Sequence, residues 1–430
     1  MSSFTVKDNS RLGKLATHQM IQELANKDLS VLAKNNFIIF PQQLSESDDL
    51  DKDQYLFQQR NEETWTCNVV GIISDSKDDI RINSRFSKTN HEDYFLRYMI
   101  QTVLNYNVTN NKVAVSQEMS YYDLLIFLFP YFLNEALKKG IYKEYVRKEY
   151  NDANIKGPID VARHIRKNVP FYGKVAYRTR EFSYDNHVTE LIRHTIEKVQ
   201  LEQNFLLANN EDTKENVRLI KQLTPAYSRI DRASTLQASI LNPVKHSYFE
   251  EYAVLQKLCN QILTEEKTGF GDEEDQVHGI IIDVAWLWEE YIWKVTKWKH
   301  YGRKKELAKK QLFKKLGTES QQHRYPDFEY MGIPIDTKYK RKIDKRNDYN
   351  QLTTYIHIMQ SSIGGFLQPT DKFREQGYTW LGELYGGGEL FSYKLYIPQE
   401  YEDYADFQKQ MKQSENQLKK LDIKNSNFTI

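Results

Sequence analysis

The stretch that most restricts how this chain folds lies between residues 325 and 340. Aromatic and aliphatic residues alternate on both sides of Gly332, and a glycine supplies the backbone angles that a tight hairpin turn needs. We therefore predict two short strands joined by a turn. Asp327 would lie on the first strand, with Asp336 and Lys338 two residues apart on the second, so that the last two side chains leave the same face.

This spacing brings two carboxylates and one ammonium group together. Neighbouring carboxylates repel each other unless a cation lies between them, and oxygen ligands of this kind suit Mg²⁺, which keeps several of its waters. The ammonium group of Lys338 could orient an attacking water or offset charge on a phosphate. The pattern therefore favours metal-assisted hydrolysis of a phosphodiester. A surface hairpin with scattered charges is the alternative that the same sequence would fit.

The segments on either side favour the catalytic interpretation. The pattern Pro-Asp, a short gap and Asp-x-Lys resembles the PD-(D/E)xK signature of metal-dependent nucleases. A helix is predicted over residues 347–359, where Leu352, Tyr355 and Ile356 fall on one apolar stripe, and a second helix is predicted to start with the segment 280–292. The order helix, hairpin, helix, strand is similar to the nuclease core.

The amino-acid sequences of these segments are more similar to one family than to nucleases in general. The sequences at 287–292, 325–327, 335–340 and 348–355 resemble McrC, the nuclease subunit of 5-methylcytosine-dependent restriction systems. Similarity continues through shorter amino-terminal segments and covers most of residues 60–370. The resemblance implies a type IV restriction endonuclease subunit with a PD-(D/E)xK restriction-endonuclease-like core.

The resemblance also implies roles for individual residues. Asp327 and Asp336 would bind Mg²⁺, for which Mn²⁺ could substitute, together with the backbone carbonyl of Thr337. Glu289 would be an additional catalytic carboxylate, with the neighbouring Glu290 left open as the alternative. Two further catalytic roles are expected: Lys338 would position the nucleophilic water, and Gln351 would support the substrate or the motif from the neighbouring helix.

Positive charge is concentrated beside the predicted cleft. Basic residues recur at helical spacing within residues 297–315, and more follow the catalytic lysine directly. Phosphate binding needs such charge close to the metal site, although a solvated helix face would look the same. The expected DNA contacts are Arg303, Lys304, Lys305, Lys309, Lys310, Lys340 and Arg341.

The expected partners are double-stranded DNA, expected to be methylated, and an McrB-like AAA+ GTPase subunit, as the resemblance implies. The chain has no G-x-x-x-x-G-K-[ST] loop, so GTP would act only through that partner. Two other functions stay open. A stand-alone nuclease in repair or phage defence would cut DNA without a partner, and a non-catalytic assembly subunit would stimulate a motor without cutting.

Length and composition predict a mixed α+β chain of the α/β class with more than one domain. With 430 residues, we expect an amino-terminal mixed β/α partner-docking domain (1–150), a connector of strands and helices (151–270) and the endonuclease domain (271–430). The net charge is only +1, so a nucleic-acid surface must be local. Two cysteines in separate segments fit a reducing, cytoplasmic compartment. The apolar run at 121–133 is too short to span a bilayer, so we predict a buried helix there and expect no membrane role.

Overall fold

The computed structural model describes residues 2–41, 55–75, 78–88, 93–104, 121–208, 210–264, 277–301, 310–315 and 322–421. Contacts between backbone segments divide the chain into two units. The first unit combines residues 1–121 with residues 273–430, and the second unit comprises residues 122–272.

The strands are between two and nine residues long. They are β1 Ser2–Lys7, β2 Phe37–Phe40, β3 Phe57–Arg60, β4 Glu63–Thr66, β5 Val69–Ser74, β6 Asp78–Asn83, β7 Glu144–Asp152, β8 Val175–Ser183, β9 His278–Asp283, β10 Lys299–His300, β11 Lys310–Gln311, β12 His323–Arg324, β13 Phe328–Tyr330, β14 Ile333–Thr337, β15 Ile363–Thr370, β16 Gly377–Glu383 and β17 Glu389–Tyr396.

The helices lie mainly between these strands. They are α1 Gln19–Leu24, α2 Leu29–Lys34, α3 Tyr94–Val103, α4 Tyr121–Leu137, α5 Val161–Asn168, α6 His187–Ala208, α7 Glu211–Leu223, α8 Arg232–Leu241, α9 Glu250–Thr264, α10 Val284–Thr296, α11 Asn347–Met359 and α12 Tyr404–Lys419. The mixed α+β class predicted from the sequence is confirmed.

The first unit contains a five-stranded sheet in the order β1-β6-β5-β9-β2. Strand β9 pairs antiparallel with β5 and parallel with β2, so a strand that follows residues 122–272 is an interior strand of an otherwise amino-terminal sheet. Gly71 on β5 makes this pairing possible. A Cβ atom there would lie 1.9 Å from the carbonyl oxygen of Ile280, and the φ angle of +151° is one that other residues rarely adopt.

This sheet changes the predicted domain division. The sequence predicted residues 1–150 and 271–430 as separate domains, whereas Ile281 of β9 packs in one apolar cluster with Val69, Ile73 and Ile82. Burial of continuous apolar strands such as β9 favours a central position with neighbours on both sides. The amino-terminal and carboxy-terminal segments therefore build one unit, and residues 122–272 are inserted between them.

The six-stranded sheet of the first unit has the order β10-β13-β14-β15-β17-β16. The predicted hairpin is confirmed: β13 and β14 pair antiparallel, and the turn is formed by Met331 and Gly332 with φ angles of 52° and 85°. The predicted helix α11 packs on β15. The side chains of Leu352 and Ile356 fill the space that a Cβ atom on Gly364 would need. The order α10, hairpin, α11, β15 agrees with the expected nuclease-like core.

Two secondary-structure predictions were wrong in part. The segment 280–283 belongs to β9, and the helix begins only at Val284, because the carboxylate of Asp283 accepts hydrogen bonds from Ala285 and Trp286 and caps α10. The basic segment 297–315 is not helical where the structure describes it. Its described parts form β10 and β11, which pair with β13 and β12.

The second unit contains a helical bundle and a two-stranded ribbon. Helices α6 and α9 bury an apolar face that includes Ile192, Ile196, Leu255 and Leu258. Strands β7 and β8 pair antiparallel over nine residues, from Glu144 opposite Ser183 to Asp152 opposite Val175, and the short helix α5 packs on β8. We call residues 144–183 the arm.

Helix α4 carries the apolar run that the sequence analysis interpreted as a buried helix. Its residues Leu125, Ile126, Leu128 and Phe129 are fully buried or nearly so, as predicted. None of the helices in the described part of the chain is long and apolar enough to cross a membrane.

Candidate active site

The hairpin positions the first carboxylate of the predicted site. Asp327 directly precedes β13, and its Oδ2 atom accepts hydrogen bonds from the backbone nitrogen and the hydroxyl of Thr337, at 2.7 and 2.9 Å. Its carbonyl oxygen accepts a further bond from the nitrogen of Tyr301, at 3.0 Å. The side chain of Asp327 is thereby held against the end of β14, next to Asp336.

The second carboxylate and the lysine form a buried pair. Asp336 is completely buried, and its Oδ1 atom lies 3.1 Å from Nζ of Lys338, which is also buried. The backbone nitrogen of Lys338 donates to the carbonyl oxygen of Leu367 on the neighbouring strand β15, at 2.9 Å. Asp336 lies on β14 and Lys338 directly follows this strand, and their side chains meet on one face as the spacing predicted.

Helix α11 adds a residue that the sequence analysis treated only as part of an apolar stripe. The hydroxyl of Tyr355 donates to the carbonyl oxygen of Tyr325, at 3.0 Å, and accepts from Nε2 of Gln351, at 2.8 Å. Burial raises the pKa of Tyr355, and the charges of Asp327 and Asp336 raise it further. Both carboxylates therefore act on one hydroxyl, and the spacing of Gln351 and Tyr355 four apart was the signal that could have paired them.

The carboxylates on α10 meet a histidine that the sequence analysis did not consider. Glu289 is hydrogen-bonded to Nε2 of His300 through a short contact, and Oε1 of Glu290 lies 3.8 Å from the other ring nitrogen. The side chain of Glu290 is 5% exposed and that of Glu289 is 27% exposed. Of the two alternatives that the sequence left open, Glu289 is the one that solvent-borne groups can reach.

The residues predicted to contact DNA differ in whether the structure describes them and in what their side chains contact. Arg303, Lys304, Lys305 and Lys309 lie outside the described residues. Lys310 is on β11, with its ammonium group 4.9 Å from the ring centre of Tyr301.

Two further candidates are held by carboxylates. Lys340 forms a short ion pair with Asp348, and Arg341 pairs with Asp371 while donating to the carbonyl oxygen of Arg85. More accessible positive charge lies on residues that were noted but not assigned to DNA. Lys342, Lys345 and Arg346 are exposed and form no ion pair within the described residues.

The residues around the hairpin offer few metal ligands. Within the described ranges, no group of three or more His, Cys, Asp or Glu side chains is arranged to hold a metal ion. Asp327 and Asp336 nevertheless fit Mg²⁺, because this ion is commonly bound by one or two carboxylates with water and substrate phosphates filling the other positions. The complete burial of Asp336 beside Lys338 is the observation that supports this fit.

A comparison with protein families assigns the chain. The family described as McrBC 5-methylcytosine restriction system component matches residues 65–368. The chain belongs to this family. The matched McrBC region runs from β4 to β15 and contains the hairpin, α10 and α11. The family resemblance predicted from the sequence is confirmed.

Two solved structures of the McrBC system are similar to the chain at low identity. One is a refined half-complex from a tetradecameric assembly of Thermococcus gammatolerans McrB AAA+ hexamers with bound McrC, with 13% identity, a TM-score of 0.42, and coverage of 96% of this chain and 100% of that chain. The other is a cryo-EM structure of the Thermococcus gammatolerans McrBC complex, with 15% identity, a TM-score of 0.31, and coverage of 68% and 87%. No curated protein matches the chain.

Proposed function

We propose that this chain is the nuclease subunit of a 5-methylcytosine-dependent restriction system and hydrolyses DNA phosphodiesters with Mg²⁺. The observation that carries the proposal is the buried pair of Asp336 and Lys338, 3.1 Å apart, with Asp327 bonded to the intervening Thr337. Strongly interacting buried charges of this kind cluster at catalytic sites. Membership of the McrBC family supports the choice of DNA as substrate.

Mg²⁺ would be held by Asp327, Asp336 and the carbonyl oxygen of Thr337, with Mn²⁺ as a substitute. When bound, the cation supplies positive charge that offsets the negative charge developing on the phosphate. Lys338 would hold the attacking water next to Asp336 and favour its deprotonated form. Tyr355, supported by Gln351, would keep the segment before Asp327 in place through its bond to Tyr325.

DNA would be bound by the loop that follows the catalytic lysine. Lys342, Lys345 and Arg346 are exposed there, and long basic side chains without an ion pair are free to neutralise phosphates. Lys340 and Arg341 would contribute less than the sequence suggested, because Asp348 and Asp371 already offset their charge. Arg303, Lys304, Lys305, Lys309 and Lys310 remain proposed contacts.

We infer that an AAA+ GTPase partner docks on the arm of the second unit rather than on residues 1–150 as a whole. Large apolar side chains are exposed along the arm, and extended exposed apolar surface commonly marks a protein–protein interaction site. These side chains, each at least one-third exposed, are Tyr145, Ile155, Ile159, Val161, Ile165, Val169, Phe171, Tyr172 and Phe182. The family description, a component of a multi-protein system, supplies the reason to expect a partner.

A groove on the arm would supply the polar part of the contact with the partner. It has a volume of about 630 Å³, and Arg147, Arg178 and Arg180 line it together with Tyr145 and Asp160, whose carboxylate pairs with Arg178. Arg147 and Arg180 face each other directly across the ladder, and the Arg180 guanidinium lies 5.1 Å from the ring centre of Tyr145. Like charges opposite each other are unfavourable in isolation, so an acidic segment of the partner would relieve their repulsion.

The proposal is tested with purified chain, partner, GTP, and methylated and unmethylated DNA. We expect cleavage of methylated DNA with Mg²⁺ or Mn²⁺, none with Ca²⁺, and none by the Asp336→Ala variant, which should still stimulate the partner's GTPase. Cleavage by the chain alone would support a stand-alone nuclease instead. Full cleavage by the Asp336→Ala variant would support a non-catalytic assembly role.

A deletion variant of the arm tests the proposed docking surface separately. Because Glu144 and Ser183 are paired neighbours, residues 145–182 can be replaced by a two-residue turn with little disturbance of the flanking chain. We expect this deletion to abolish stimulation of the partner's GTPase. Stimulation that survives the deletion would return the docking site to residues 1–121.

A further inference from the structure

A buried polar side chain lies in the interior of the six-stranded sheet, next to the strand that carries Asp336. Gln368 is on β15, between β14 and β17, and it is 2% exposed. Phe366 and Leu367, which precede it, are buried and apolar, as expected of a strand with neighbours on both sides. A buried amide without hydrogen bonds destabilises a fold, so the partners of Gln368 indicate what it does.

The amide of Gln368 holds the segment that directly follows Lys338. Its Nε2 atom donates to the carbonyl oxygen of Lys340, at 2.9 Å. The backbone nitrogen of Lys340 donates to the carbonyl oxygen of Lys338, also at 2.9 Å, and this bond closes a three-residue turn. Gln368 therefore fixes the last residue of a turn whose first residue is the proposed catalytic lysine.

Strand β15 thus holds Lys338 on both sides of its Cα atom. The backbone nitrogen of Lys338 donates to the carbonyl oxygen of Leu367, the residue before Gln368, and its carbonyl oxygen is held by the turn that Gln368 fixes. Nζ of Lys338 lies 3.1 Å from Oδ1 of Asp336. A lysine side chain is long and flexible, so its ammonium group keeps one position only where its backbone is fixed. The two backbone contacts set the point from which the side chain reaches Asp336.

We propose that Gln368 is a positioning residue that fixes the turn after Lys338 and thereby holds the lysine ammonium group beside Asp336. This inference rests on the proposed nuclease function, in which Lys338 acts on the attacking water. Supporting hydrogen bonds commonly keep catalytic groups within about 0.5 Å of their productive geometry. In a purely structural role, Gln368 would stabilise the sheet without affecting the interaction between Asp336 and Lys338.

Matched substitutions on one strand separate these two roles in the full chain. Gln368→Met keeps the length of the side chain and removes the N–H donor, and Gln368→Leu is a second variant without a donor. The control is Thr370→Val, two residues further along β15. Thr370 is 4% exposed, and its hydroxyl accepts a hydrogen bond from the backbone nitrogen of Lys372, at 3.2 Å. Each change removes one bond to the backbone, but only the changes at position 368 release the turn after Lys338.

The first measurement needs neither metal nor DNA. Denaturant unfolding of the unmodified chain, Asp336→Ala, Lys338→Ala and the double variant gives the energetic coupling between these two residues. The same four proteins are then compared with Gln368→Met and with Thr370→Val added. We expect Gln368→Met to reduce the coupling and Thr370→Val to leave it unchanged. Equal coupling in all three backgrounds would overturn the positioning role.

The second measurement is single-turnover cleavage of methylated DNA with the partner, GTP and Mg²⁺. We expect Gln368→Met and Gln368→Leu to lower the cleavage rate at saturating DNA by up to about 100-fold, because a small displacement of a reacting group is enough for such a loss. The DNA concentration that gives half of the maximal rate should stay the same, and Thr370→Val should cut like the unmodified chain. A change in that concentration with an unchanged maximal rate would contradict the positioning role.

The two measurements distinguish failure of this inference from failure of the proposed function. If the unmodified chain cuts DNA while the coupling and the maximal rate are insensitive to Gln368→Met, only the positioning role is wrong. If the unmodified chain does not cut DNA under any of these conditions while Gln368→Met reduces the coupling, Gln368 positions Lys338 but the proposed nuclease function is wrong.

Discussion

The hydroxyl of Tyr339, the residue after the proposed catalytic lysine, lies 2.6 Å from the hydroxyl of Ser84. Both residues are buried, and the guanidinium of Arg85 lies 5.3 Å from the centre of the Tyr339 ring. Arg85 is itself paired with the buried carboxylate of Asp8. The segment that follows Lys338 is therefore anchored on amino-terminal residues of the same unit.

The first prediction concerns this anchor. Tyr339→Phe should lower the free energy of unfolding by about 1–2 kcal/mol, because the Ser84 hydroxyl stays buried without this partner. The double variant Tyr339→Phe, Ser84→Ala should cost less than the sum of the single changes. Denaturant unfolding of the four proteins measures the coupling. Additive costs would mean that the two hydroxyls do not stabilise each other.

The second prediction concerns the buried pair at the site. Lys338→Ala should lower the free energy of unfolding by about 3 kcal/mol, because Asp336 loses its ammonium partner in a buried position. Asp336→Ala, Lys338→Ala together should cost less than Lys338→Ala alone. Thermal unfolding with and without Mg²⁺ tests the cause, since the ion should restore part of the stability of Lys338→Ala only while Asp336 is present.

The third prediction concerns the proposed DNA contacts of the loop after Lys338. Lys342→Gln and Lys345→Gln should each reduce the salt dependence of DNA binding by about 1 in slope, because one fewer counterion is released. The matched controls are Lys409→Gln and Lys412→Gln, which are exposed on α12. DNA binding over a range of salt concentrations gives the slopes. Slopes that stay equal across all variants would exclude the loop as a phosphate contact.

The fourth prediction concerns the hairpin turn. Met331 has a φ angle of 52° and is exposed, whereas turns of this geometry favour Asn before Gly. Met331→Asn should raise the free energy of unfolding by about 0.5–1 kcal/mol. DNA cleavage should be unchanged, because the turn is at the opposite end of the hairpin from Asp327 and Asp336. A loss of cleavage with improved stability would give the turn a function in substrate binding.

The fifth prediction concerns pH and a buried histidine in the second unit. Burial, reinforced by Arg232 and Arg193, lowers the pKa of His194 from its usual value of 6.5 to about 4. The unfolded chain therefore binds more protons between these values, and stability falls as the pH falls from 6.5 to 4, by up to about 3 kcal/mol. Hydrogen exchange of α6 in the full chain measures the effect, and His194→Gln should flatten this part of the pH dependence.

The sequence predicted the hairpin and the helix after it because their signals are local. Alternation on either side of Gly332 and the stripe of Leu352 and Ile356 depend on neighbours within a few residues. The start of α10 was misplaced because a run of isoleucines fits a buried strand as well as a buried helix. Only the cap formed by Asp283 and the pairing with β5 distinguish the two.

Other features depend on contacts between residues far apart in the chain. The association of residues 1–121 with the carboxy-terminal segment rests on β9, which pairs with strands more than 200 residues earlier. The contact between His300 and Glu289 joins a strand and a helix that no spacing rule connects. The ion pairs that hold Lys340 and Arg341 are likewise set by tertiary contacts, so composition alone overestimated the charge available to DNA.

The central position of β9 has a consequence for synthesis of the chain. Strands β2 and β5 leave the ribosome long before residue 283 and have no strand between them until it arrives. Their hydrogen-bonding edges are exposed during the whole synthesis of residues 122–272, and exposed edges favour pairing with other chains. Compaction of the inserted residues would shorten the distance that β9 must bridge, because loop closure becomes less costly as the free loop shortens. Release of a truncated product before residue 278 would therefore yield an aggregation-prone fragment rather than an independent domain.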